Sequence, residues 1–371
     1  MAALGCLGCE NFDELERQYC ANTGSTTGAC EKLAEDAGVD AGPPDAGGEV
    51  DAGSDAGENF DAGVDGGVDG GTDGGIDGGR PPLSFTLVQS TTADLWVVVW
   101  EAQGTSSGYW AGGSAQTLLR SPDGLNWQPV QVPAGVSTLP IINGVIPLAS
   151  LNRVVVVFSE PGAALSEVFL WDQATNFWTD VGGGLPPGYV TDIIWSPFQD
   201  RFYLSHSTTI FTRQTFGSGW VQDYFDPTVT ITALTKSGGS FVAAAAGSGV
   251  LTPPGWTLRG PPPGFSGSVI EVVAGLNEVV AFGPMGAVMW SNDSGNTWRL
   301  AVSNLNGTVR GAAWIGAEFV AVTNNQLCFT SRDGDVWMPS GMLPFSPNAI
   351  AGDGPRIVVV GQGGRIAVAD K

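Results

Sequence analysis

Histidine is almost missing from this chain. His206 is the single one in 371 residues, and it lies in a Ser-His-Ser-Thr-Thr stretch with no cysteine or second histidine near it. Neither a histidine-based metal site nor a paired His general base is available, and His206 reads as a solvated loop residue. Zinc spacings, a Gly-x-Ser-x-Gly elbow and a phosphate-binding loop are equally lacking, so no cofactor is expected. Basic residues are scarce, 15 Lys and Arg against 37 Asp and Glu, for a net charge of −22. A chain this short of cations lacks the basic footprint of a nucleic-acid binder. No apolar run approaches the length of a membrane span. Cysteine is confined to the first 30 residues apart from Cys328, whose Gln-Leu-Cys-Phe-Thr surroundings read as a buried strand.

The composition divides the chain into three zones. Residues 1–35 hold Cys6, Cys9, Cys20 and Cys30. Cys20 and Cys30 flank a Gly/Thr-rich loop and read as a disulfide pair, which implies an oxidising compartment. The opening Met-Ala-Ala-Leu-Gly-Cys6-Leu-Gly-Cys9 resembles the end of a bacterial lipoprotein signal, with Cys6 or Cys9 as the lipidated residue, although a basic leader and a full-length apolar stretch are not part of it. The alternative is a small disulfide knot. Residues 36–82 are little more than Asp, Ala and Gly, as Asp-Ala-Gly units and then a four-residue Asp-Gly-Gly-x repeat. Such a segment has nothing to bury and repels itself, so a disordered acidic linker is expected. Its repeat has the wrong period for a calcium-binding nonapeptide array. Residues 1–80 carry 18 acidic and 3 basic side chains, so most of the negative charge belongs to the tether. Zones one and two together suggest an extracytoplasmic protein, secreted or held at the cell surface, that meets the membrane only through an N-terminal lipid.

From residue 83 to 371 the pattern is all-β: short runs rich in Val, Ile, Phe and Trp, punctuated by Gly, Pro, Asn and Asp. Three segments share one turn. Ser121-Pro-Asp123-Gly124-Leu-Asn-Trp127, Ser291-Asn-Asp293-Ser-Gly295-Asn-Thr297-Trp298 and Ser331-Arg-Asp333-Gly334-Asp-Val-Trp337 each follow a strand-like run. Ser and Asp side chains can bond the turn's own N–H groups, Gly supplies a positive φ, and the Trp opens the next strand. Tryptophans recur at 127, 178, 220, 256, 298 and 337, at about the spacing of a four-stranded blade. That marks six blades. Three strands at 348–371 lack a fourth, and Leu83-Ser-Phe-Thr-Leu-Val-Gln89 is one strand too many at the start. Joining them gives a seventh blade of three strands plus one.

The Ser-x-Asp turns resemble the Asp-box (BNR) hairpin of sialidases, sortilin-type receptors, xyloglucanases and photosystem-assembly propellers. The resemblance implies a seven-bladed β-propeller, closed by its N-terminal strand, in which the boxes are structural. It does not assign an activity, because this fold hosts unrelated functions. Sialidase clamps are not recognisable: Arg310 and Arg356 lack the family's flanking residues. Glu160, Asp192, Asp226 and Glu271 are the carboxylates placed to serve an exo-acting glycoside hydrolase, the alternative function. The expected function is non-catalytic binding or scaffolding by a monomeric propeller, with a protein or glycan ligand. That ligand would approach the face opposite the Asp boxes, whose loops carry Tyr224, Phe265, Asn306, Asn325 and Phe345.

Overall fold

The computed structural model describes residues 82–371, apart from 102–106, 161, 163, 198, 216, 218, 238–239, 248 and 304. The expectations for residues 1–81, including Cys6, Cys9, Cys20, Cys30 and the acidic linker, lie outside the described residues. Seven sheets of antiparallel strands follow one another along the chain. Blade one is built from Leu95–Glu101, Gly108–Gly113, Leu118–Ser121 and Gln128–Pro129, and blade two begins with Ile141–Leu148. The first strands of blades three to seven are Val190–Ser196, Thr230–Ser237, Glu271–Ala274, Val309–Ile315 and Pro347–Gly352. Each first strand touches the first strands of both neighbouring blades, so the seven form the inner wall of a closed ring.

The core lies between the blades. Seven apolar clusters are present, one at each seam of the ring. The second strand of each blade shows how sequence produces this. In Val154–Phe158 every side chain is buried, but Val154, Val156 and Phe158 pack toward blade one while Val155 and Val157 pack toward blade three. Side chains alternate across a strand, so a sheet buried on both faces reads as a continuous apolar run. Ile357–Val360 repeats the pattern in blade seven, and Val242–Ala245 in blade four with small residues.

Closure follows the three-plus-one arrangement. Thr86–Ser90 pairs antiparallel with the strand Arg365–Asp370, in the register Thr86↔Val368 and Leu87↔Ala367. The expected single N-terminal strand is in fact two. Leu83–Ser84 runs parallel to the outer strand of blade six, Leu83 opposite Gly341, before the chain crosses to blade seven. Two neighbouring outer edges are thereby tied by one stretch of chain. Across the seam from blade seven to blade one, Arg356, paired at 2.7 Å with Asp370 of its own blade, donates to the Asp123 carbonyl, and Asn348 Nδ2 donates to Leu95 O at 2.8 Å.

Removing residues 1–80 should leave the melting temperature unchanged. Removing 1–90 exposes the apolar edge of Arg365–Asp370 and should lower it by several degrees or cause aggregation. Thermal melts of the two truncations side by side decide this. Equal melting would show that the strand is dispensable to the ring.

Candidate functional site

The Ser-x-Asp turns consume their own polar groups. In blade one, Asp123 Oδ1 accepts the N–H groups of Leu125 (2.9 Å) and Asn126 (2.8 Å) and the hydroxyl of Ser121 (3.0 Å). In blade five, Asp293 accepts from Thr297 N at 2.8 Å and Thr297 Oγ1 at 2.7 Å, while Ser291 Oγ accepts from Gly295 N at 2.9 Å. In blade six, Asp333 Oδ1 accepts from Asp335 N and Val336 N, and Ser331 Oγ accepts from Gly334 N at 2.9 Å. Trp127, Trp298 and Trp337 each donate their indole N–H to the carbonyl of the turn glycine, at 2.8–2.9 Å. Those glycines, Gly124, Gly295 and Gly334, have φ of +73°, +85° and +79°. A Cβ on Gly334 would also lie 2.4 Å from Val280 of the preceding blade. Partial burial works to raise the Asp123 and Asp293 carboxyls, but the turn N–H and hydroxyl donors outweigh it and hold both below the usual range, Asp123 the further.

Where the Ser-x-Asp pattern is missing, the tryptophan turns to a neighbour. Trp220 Nε1 donates to Val181 O of blade two at 2.8 Å, and Trp256 Nε1 to Asp223 of blade three at 2.7 Å. Trp178 stacks on Trp171 with centroids 5.4 Å apart.

The channel wall carries a feature that sequence reading missed. The first strands of six blades have a β-bulge near their start. At four of these bulges the side chain reaches a carbonyl on the next blade: Asn143 to Val190 O, Thr191 to Ile231 O, Thr232 to Val269 O and Asn348 to Leu95 O. The inner strand has no sheet partner on its channel side, and these bonds satisfy that edge. The legible signal is an Asn or Thr directly after an aliphatic or proline residue near the head of these four strands. Arg310 occupies the same position in blade six and is exposed.

Two of the four proposed carboxylates lie in this wall, near enough for the charge of one to act on the other. Asp192 of blade three accepts Ile193 N at 2.7 Å and Leu234 N of blade four at 2.7 Å. Glu271 of blade five accepts its neighbour's N–H, Val272 N, at 3.1 Å. Desolvation lifts Asp192 to about 6; desolvation, aided by the charge on Asp192, lifts Glu271 to about 8. The other two do not join them: Glu160 is exposed, and Asp226 caps its own turn through Thr228. Arg356 is a seam residue, not a free clamp. His206 is 7% exposed, not solvated: its ring meets Phe211 edge-on and lies where a Cβ on Gly188 would be. Desolvation pushes its pKa down and keeps it neutral. Phe345 is core, whereas Asn306 and Asn325 stand together on an exposed cleft between blades five and six.

No protein-family model matches the chain, and no curated protein matches it in sequence. Solved structures do match. YCF48 from Cyanidioschyzon merolae is 15% identical, with a TM-score of 0.58, over 77% of this chain and 98% of its own. The fold is shared. YCF48 bound to D1 peptide gives 17% and 0.61 over 80% and 96%, and virginiamycin B lyase from Staphylococcus aureus with quinupristin gives 10% and 0.63 over 78% and 99%. At such identities the similarity is one of seven-bladed propeller architecture, common to binding proteins and to a lyase.

Two measurements check this geometry. Asp293→Ala leaves the donors of Thr297 without an acceptor and should cost about 1–3 kcal/mol in a denaturant titration; an unchanged midpoint would contradict a structural role. Glu271 and Asp192 bind protons more tightly folded than unfolded, so the folded state holds more protons between the ordinary carboxylate range and about 8. Stability therefore falls as pH rises through that window. Glu271→Gln should flatten the fall and raise the melting temperature at pH 8 more than at pH 4.

Proposed function

We propose that this chain is a non-catalytic binding or scaffolding propeller of the Asp-box type, working outside the cytoplasm as a secreted or lipid-anchored cell-surface monomer. Its ligand is a protein, bound on the face opposite the Ser-x-Asp turns. The observation that carries this reading is Met285. It lies in the loop between the second and third strands of blade five, 80% exposed, with a φ of +53°. A non-glycine residue held on a left-handed backbone costs about 1 kcal/mol or more, and such strain gathers at binding sites; here it presents a flexible apolar side chain to solvent. Support also comes from propellers of the same fold, one with a bound D1 peptide and one a set of WD40 repeats. The tether of residues 36–82 and a lipid on Cys6 or Cys9, with Cys20 and Cys30 joined, suit a domain displayed away from a membrane.

A photo-crosslinking residue at position 285 in the full chain, expressed in its native host, should join one dominant partner protein. Adducts spread over many proteins, or none, would count against the reading.

A second reading, an exo-acting glycoside hydrolase, draws on Glu271, a carboxylic acid kept neutral near pH 7 beside Asp192. Asp192, however, spends both oxygens on backbone N–H groups. Nitrophenyl glycosides, including a sialoside, should remain intact. Hydrolysis that Glu271→Gln abolishes would replace the binding reading with this one.

A further inference from the structure

The cleft between blades five and six has a volume of about 460 Å³ and is lined by Met285, Leu305, Asn306, Thr308, Asn324 and Asn325. Its loops are held in place. Asn324 Oδ1 accepts the N–H of Thr308 at 2.9 Å, and Met285 N donates to Thr308 Oγ1 at 3.4 Å. Gly307, at a φ of +101°, lets the chain pass where a Cβ would lie 2.5 Å from Asn324 Oδ1. Leu305, 7% exposed, is the buried apolar residue of its lining.

One polar pair in this cleft is half used. Asn325 Nδ2 donates to Asn306 Oδ1 at 3.0 Å. Both residues are exposed, and the Asn306 NH₂ group and the Asn325 carbonyl take no other partner among the described residues, so the bonded pair keeps a donor group on one residue and an acceptor group on the other. Whichever way the two amides are turned, one of each remains. A residue in an extended chain turns its own N–H and C=O to the same side, which matches such a pair.

We infer that this cleft binds an extended, uncharged peptide segment of a partner protein, with a backbone N–H and C=O on Asn325 and Asn306 and an apolar side chain on Met285. The inference rests on the protein-binding reading above and names its site. The lining residues carry no charge, which disfavours acidic, basic or phosphorylated ligands. None is aromatic, and a sugar acetamido group, which could also satisfy the amide pair, would lack the stacking face that sugars use. A flexible thioether instead accommodates varied apolar side chains.

The test pans a displayed library of short random peptides against the full chain. The selected peptides are then measured on the wild type, on the Asn306→Ala/Asn325→Ala double variant and on Met285→Ser. All three positions are exposed, and melting temperatures confirm that the variants fold. The wild type should enrich uncharged segments with a large apolar residue. Affinity should drop about tenfold or more in each variant, and chitotetraose should not compete. Peptides whose binding ignores both variants would overturn the cleft assignment while leaving the peptide reading intact. Competition by chitotetraose would make the ligand a glycan and overturn the inference. Failure to enrich any peptide would overturn both.

Discussion

A four-stranded sheet with two apolar faces cannot be buried alone, and this chain resolves that constraint only by closing seven of them into a ring. Every core cluster bridges two adjacent blades. No blade has a core of its own among the described residues, so each one's stability is borrowed from its neighbours. The same constraint explains the continuous apolar second strands, the paired N-terminal strand and the bulge side chains that reach the next blade's carbonyls. An open ring would leave faces and backbone edges exposed together.

Tryptophan serves that ring in two ways. In blades with a Ser-x-Asp turn the indole N–H closes its own hairpin on the turn glycine. In blades three and four, which lack it, the indole bonds the preceding blade instead, at Val181 O and Asp223. Loss of a local turn is thus offset by a seam contact, and the ring holds blades of uneven sequence. Lys371 makes another such contact. Its ammonium pairs with buried Glu318 of blade six at 2.9 Å, while its backbone N–H bonds Pro355 O of blade seven.

Much of the fold was legible because its signals are local. The Ser-x-Asp-Gly…Trp spacing marks hairpins, the Trp period marks blades, and three strands without a fourth at the end point to a partner at the start. The parallel addition of Leu83–Ser84 to blade six was not legible, since a two-residue pairing leaves no periodicity. His206 reads as solvated from sequence because its burial, at the end of the strand Arg201–His206, depends on Gly188, eighteen positions away. The candidate site was legible only in pieces. Asn306 and Asn325 were noted as separate polar residues, but their pairing depends on two loops from successive blades. The approach of Asp192 to Glu271 likewise follows from ring geometry. Met285 carries no sequence signal, because neither its exposure nor a left-handed backbone is expected of a methionine.

Functional surfaces of such a ring are what closure leaves over. The Ser-x-Asp turns spend their Ser and Asp side chains on their own backbone, whereas the opposite face retains an open cleft with a half-used amide pair. The binding reading therefore depends on a ring that opens as one unit and keeps loops from successive blades in register. Native-state hydrogen exchange on the full chain tests that most directly. Amides of Ile357–Val360 and Ile366–Ala369 in the closing blade should exchange with the same opening free energy as Val242–Ala245 in blade four, equal to the global unfolding free energy. Exchange in the closing blade faster by orders of magnitude, with blade four still protected, would show that the ring unzips at its seam and would contradict the account.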